Sequence, residues 1–91
     1  MYTVQKLDTL KIPLVNKFYA LYSVRGRANK QDQVWVVYSE MQIVAACRIQ
    51  NKHDFLFLST VFVAPQHRAK GLAKQLVCAA IKQRPKLLRR V

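Results

Sequence analysis

Ninety-one residues, 52% of them hydrophobic and broken by only two glycines and three prolines, exclude a disordered chain and read as one domain spanning 1–91; a chain this short buries little more than about 60% of its unfolded surface, so its core must be thin. Sixteen Lys and Arg against four Asp and Glu give a formal charge of +12, eight of the cations falling in 1–67 and eight in the much shorter 68–91, and call for an anionic partner. The longest apolar stretch, 55–64, is about half of the roughly 20 residues a spanning helix needs, and no basic segment followed by an apolar one opens the chain, so the expectation is a cytoplasmic protein with no membrane partner.

Weak alternation over 2–7 predicts a first strand. Pro13 then stands where a helix can begin, and Leu14, Val15, Phe18, Leu21 and Tyr22 fall on one face of it. The pattern stops between Ser23 and Gln33, where the run from Arg25 to Asp32 reads as a basic, polar loop. Val34 to Tyr38 is rich in β-branched and aromatic residues, Ser39 to Met41 supplies a turn, and Gln42 to Ile49 resumes the apolar pattern, which predicts a hairpin. A second break, 50–54, precedes the apolar run 55–63 and completes a three-stranded meander. From Gly71 the period becomes helical: Leu72, Leu76 and Ala80 form one row and Ala73, Val77 and Ile81 the adjacent one, predicting a helix over 71–84 that Pro85 closes. Residues 86–91 stay open to two readings, a further strand or a tail. The fold class expected is α+β, a mostly antiparallel sheet with flanking helices.

The segment Val61 to Ala73 carries the chemistry, as a buried strand running through a short loop into a helix. A helix N-terminus presents unpaired N–H groups along a favourable dipole, and a phosphate accepts from several at once. Gly71 has no Cβ and lets a ligand approach the backbone, Ala73 is small, and Arg68 and Lys70 add cationic donors.

Val63-Ala-Pro65 followed by Arg68-Ala-Lys-Gly71-Leu-Ala73 resembles the acyl-CoA-binding motif of the GNAT (Gcn5-related) N-acetyltransferase superfamily, an apolar strand, V-x-P, then R/Q-x-x-G-x-G/A. Many members carry glycine where Ala69 stands. The resemblance covers nearly all of this chain but only about the first two thirds of a typical family domain, the C-terminal strands and helix being the part not matched. It implies a GNAT-like fold and an N-acetyltransferase using acetyl-CoA as co-substrate on an amine of unknown acceptor. Backbone groups of Val61, Phe62 and Val63 would pair with the pantetheine arm, and amides from Arg68, Ala69, Lys70, Gly71, Leu72 and Ala73 would hold the pyrophosphate. An amine would attack the thioester directly, with a strand N–H polarising its carbonyl. In the family a further strand pairs beyond the third meander strand; its shortening here would open an apolar edge and predicts self-association as a homodimer.

No catalytic residue stands out. Of the acids Asp8, Asp32, Glu40 and Asp54, none lies inside the third meander strand; Glu40 and Asp54 read as surface charges. His53 reads as a loop residue, and His67 as facing solvent or phosphate. Ser59 and Thr60 are expected to bond backbone. Cys47 and Cys78 lack metal-ligand spacing, so no metal is expected and both read as packing thiols. Two other functions remain in view: a non-catalytic acyl-CoA-binding module, and a basic protein that holds nucleic acid through the loop 25–30 with Trp35 and Tyr38, although nucleic acid is not the expected partner.

Overall fold

The computed structural model describes residues 2–51, 56–83 and 88–90. In chain order they form β1 (Tyr2–Lys6), α1 (Ile12–Leu21), β2 (Gln33–Ser39), β3 (Gln42–Asn51), β4 (Leu56–Val63), α2 (Leu72–Gln83) and β5 (Leu88–Arg90), with single 3₁₀ turns at Thr9–Lys11 and Pro65–His67. The sheet order is β1-β2-β3-β4-β5; the first four strands are an antiparallel meander, and β5 lies parallel to β4, Leu88 opposite Leu56 and Arg90 opposite Leu58. The α+β class and the mostly antiparallel sheet are thus as expected, and of the two readings of the C-terminal segment its described residues 88–90 form a strand.

β2 explains the layering. Its run Val34-Trp35-Val36-Val37 is buried throughout because a helix covers each face of the sheet. Val34 and Val36 meet Val15, Phe18 and Tyr19 of α1, whereas Trp35 and Val37 meet Leu72, Leu76 and Ala80 of α2. β3 fits between with small side chains, Ala46 on the α1 side and Ala45 and Cys47 on the α2 side. The β2–β3 hairpin turns on Glu40 (φ 51°) and Met41 (φ 67°), so both central residues of a two-residue loop take the left-handed conformation without a glycine.

Two apolar faces differ from expectation. α1 begins at Ile12, and its buried stripe is Ile12, Val15, Phe18 and Tyr19; Leu14 (51% exposed) and Leu21 (73%) lie outside it. Tyr19 and not Leu21 closes the stripe because its ring spans the distance to β4. In α2 the row Leu72, Leu76 and Ala80 is buried as its spacing predicts, but of the adjacent row only Val77 is partly covered; Ala73 and Ile81 face outward and Ala79 packs instead. Cys47 is a packing thiol, whereas Cys78 is exposed and outside both cores. Among the described residues no helix is long and apolar enough to cross a membrane. His53, Asp54 and Pro85 lie outside the described residues.

Candidate functional site

β4 is not regular. Ala46 pairs with Phe62 and Arg48 with Ser59, so β3 spends one residue, Cys47, where β4 spends two, Thr60 and Val61. The extra residue is a bulge, and Thr60 carries it with φ at 54°, a conformation that β-branched side chains avoid. Three contacts hold it there: Arg48 Nε donates to Thr60 Oγ1 at 2.8 Å, the Tyr19 hydroxyl donates to the Thr60 carbonyl at 3.0 Å, and Ser59 Oγ lies 3.0 Å from Thr60 Oγ1. The hydroxyls of Ser59 and Thr60 therefore meet side chains and not backbone, contrary to the sequence expectation. Burial pushes the Tyr19 phenol above its ordinary range, which keeps the proton it donates. Burial likewise raises the neighbouring Cys47 thiol to about 12, so it is inert as a nucleophile at neutral pH.

Beyond the bulge no strand among the described residues pairs with the outer side of β4, since β5 is registered there only with Leu56 to Leu58. A cleft of about 340 Å³ opens there, between the end of β4 and the start of α2. Its lining contains Val61, Phe62, Val63, Arg68, Ala69, Gly71, Leu72 and Ala73, eight of the nine residues singled out from the sequence. Lys70, the ninth, is exposed but outside the lining, and Lys74 takes its place. Lys74 was legible as the cation that follows Ala73 within the first turn of the helix.

The loop owes its shape to two left-handed residues. Ala69 has φ at 65° and Gly71 at 74°. A Cβ on Gly71 would meet nothing within 4 Å, so the glycine is favoured here by its backbone conformation and not by crowding, and the space above it is open. Helix geometry leaves the N–H groups of Leu72, Ala73 and Lys74 without intrahelical acceptors, while the Gly71 carbonyl already accepts from Gln75 at 3.1 Å. Arg68 folds back on the strand: its Nε donates to the Val63 carbonyl at 3.1 Å and its guanidinium lies 5.4 Å from the centroid of the Phe62 ring.

His67 is not free to face a ligand with both nitrogens. Its Nδ1 lies 3.0 Å from the Tyr2 hydroxyl, with the two rings edge to face, so it joins the loop to β1. Glu40 sits at the hairpin tip, remote in sequence and pairing from the cleft. Trp35 and Tyr38 lie on opposite faces of the sheet, one in each core, and form no common stacking surface.

The sequence reading overlooked a buried ion pair. Arg48 Nη1 donates to Asp32 Oδ2 at 2.9 Å, with the two side chains 11% and 5% exposed, and also to the carbonyl of Arg27. One guanidinium thereby ties the loop 22–32 to β3 and to the bulge of β4. A charged residue inside the apolar run 42–49, together with a lone acid in a basic loop, was the available signal.

The acetyltransferase (GNAT) domain model matches residues 30–90. Among solved structures, the chain superposes on a ribosomal-protein-alanine N-acetyltransferase from Brucella melitensis biovar Abortus 2308 with a TM-score of 0.77 at 13% identity, covering 100% of this chain and 81% of that one. A GNAT-family acetyltransferase from Streptococcus pneumoniae gives 0.80 at 16% identity, covering 100% and 75%. A predicted acetyltransferase with acetyl-CoA from Clostridium acetobutylicum gives 0.73 at 12% identity, covering 100% and 80%. At these identities the likeness is one of fold. No curated protein matches the chain in sequence.

Proposed function

Because the chain belongs to the acetyltransferase (GNAT) domain family, we propose that it binds acetyl-CoA in the cleft between β4 and α2 and transfers the acetyl group to an amine. The observation that carries this reading is the convergence of Val61, Phe62, Val63, Arg68, Ala69, Gly71, Leu72 and Ala73 on one cleft at a helix N-terminus. The unpaired N–H groups of the first turn of α2 suit a pyrophosphate, and the nearby Arg68, Lys70 and Lys74 suit the charge of the cofactor's phosphates. Val61 and Val63, on the stretch of β4 that no described strand pairs on its outer side, offer main-chain groups to the pantetheine arm, while the N–H and C=O of Phe62 turn toward Ala46 in the ladder with β3. The Val63 carbonyl already accepts from Arg68 Nε and keeps a second lone pair for the arm.

In this reading the amine nitrogen forms a bond to the thioester carbonyl carbon, the carbon–sulfur bond breaks, and the sulfur leaves as the coenzyme A thiol with the proton balance completed through water. The bulge at Thr60 turns the backbone of β4 out of its ladder, which supports a role for a main-chain N–H there in polarising the carbonyl. Neither a carboxylate nor an imidazole lines the cleft among the described residues, so proton removal is assigned to solvent and to the acceptor's own ionisation.

Calorimetric titration with acetyl-CoA, followed by a thiol-release assay over a panel of amines, tests the proposal. Binding with amine-dependent thiol release is the expected result; absence of binding overturns it. The lack of an acid or base in the cleft favours one further reading, a binding module for acyl-CoA, for which binding without thiol release is the expected pattern.

A further inference from the structure

We propose that the acceptor site is the cavity between α1 and the loop 22–32, and that it selects amines whose far end carries an anion, a carboxylate or a phosphate. The inference rests on the acetyltransferase reading and adds the substrate class. The cavity has a volume of about 500 Å³ and is lined by Lys17 and Arg27 together with Asn16, Val24 and Gly26. No carboxylate lines it among the described residues. The one acid of the loop, Asp32, is buried and already neutralised by Arg48, and neither Lys17 nor Arg27 joins an ion pair among those residues.

Its walls are fixed. Asn16 Nδ2 donates to the Ala28 carbonyl at 2.9 Å, and Ala28 N–H donates back to Asn16 Oδ1 at 2.7 Å, so the loop is stapled to α1. Arg48 holds the carbonyl of Arg27 from below. Gly26, with φ at 98°, rests directly on the bulge: a Cβ there would lie 3.2 Å from Thr60 Oγ1 and from Arg48 Nη2. Thr60 immediately precedes Val61, the first residue of the cofactor cleft. Cavity and cleft therefore flank the same bulge, one from the α1 side and one from the outer edge of β4.

An amine entering this cavity meets two uncompensated cations. A second cationic group on the acceptor is repelled, a neutral one gains nothing, and a carboxylate or phosphate pairs with Lys17 and Arg27. The reaction is the transfer described above: the nitrogen gains the acetyl carbon, and the thioester sulfur leaves.

Three amines of matched length separate the cases: δ-aminovalerate, pentylamine and cadaverine. With acetyl-CoA as donor, kcat/KM from thiol release is expected to fall about three- to fivefold from the carboxylate to the neutral amine and again to the diamine, the most that one exposed charge contact supplies. The Lys17→Glu/Arg27→Glu protein should invert that order, and Lys17→Gln/Arg27→Gln should flatten it; a ranking is insensitive to a uniform loss of cofactor affinity. Equal rates for the three amines, or a parent preference for cadaverine, overturn the proposal. Backbone amide shifts of Lys17, Gly26 and Arg27 in coenzyme A-saturated protein give the same ranking by binding alone. If acetyl-CoA binds but no amine releases thiol, the transfer reading fails while this binding order still decides the anion preference.

Discussion

Replacing Asp32 by Asn keeps the shape of the side chain but leaves the Arg48 guanidinium buried without its counter-charge. The pair is 2.9 Å apart with side chains 11% and 5% exposed, and breaking such a pair from one side costs about 3–5 kcal/mol. A domain of this size has roughly 5–14 kcal/mol in total, so the change removes a large fraction of it. Arg48→Met has the same direction and also releases Thr60 Oγ1 and the Arg27 carbonyl. The double variant Asp32→Asn/Arg48→Met has no stranded charge and should recover about 2 kcal/mol or more relative to the sum of the single effects. Urea unfolding followed by circular dichroism measures all four corners of the cycle, with the slope against denaturant unchanged where only stability moves. Single variants within about 1 kcal/mol of the parent, or a double variant as unstable as the sum, would refute the claim that this pair anchors the loop to the bulge.

Ala69→Gly relieves a left-handed alanine, worth about 1 kcal/mol, against a similar gain of conformational entropy in the unfolded chain; stability should stay within about 1 kcal/mol of the parent while acetyl-CoA affinity is kept. Stability should be flat to about pH 9 and then decline. The folded Cys47 thiol titrates near 12 against 9.0 in the unfolded chain and the Tyr19 phenol is raised from 10.0 as well, so above each unfolded value only the unfolded state loses protons; Cys47 from about pH 9 and Tyr19 from about pH 10 each subtract about 1.4 kcal/mol per pH unit. Urea midpoints measured across that range check it, and a rise with pH is the contrary result. Native protein should titrate a single cysteine with a thiol reagent, Cys78, and the second, Cys47, only after unfolding.

The sheet was legible in the sequence because its strands are long, apolar and separated by polar breaks, and the cleft because one strand-loop-helix segment supplies eight of its lining residues. What escaped was set by tertiary packing. Leu14 and Leu21 satisfy helical spacing as well as Tyr19 does, yet only contact with the Thr60 carbonyl decides that Tyr19 is inside. The second row of α2 failed for the same reason: apolar spacing does not tell which side of a helix the sheet covers. The bulge at Thr60 leaves no mark in composition, since threonine is an ordinary strand residue and its left-handed backbone is imposed by Arg48 and Tyr19. The ion pair of Asp32 with Arg48 joins positions 16 residues apart, a separation that no local pattern reports.

The central claim is that main-chain donors at the head of α2 hold the cofactor's diphosphate, and titrating acetyl-CoA into the parent and into Gly71→Val probes it most directly. The substituted Cβ meets no protein atom within 4 Å and points into the open space above the loop, so the fold should survive with the strain of one left-handed residue. Loss of one or two charge-assisted hydrogen bonds then predicts an affinity lower by about tenfold or more. An unchanged dissociation constant in a folded Gly71→Val protein would contradict the account.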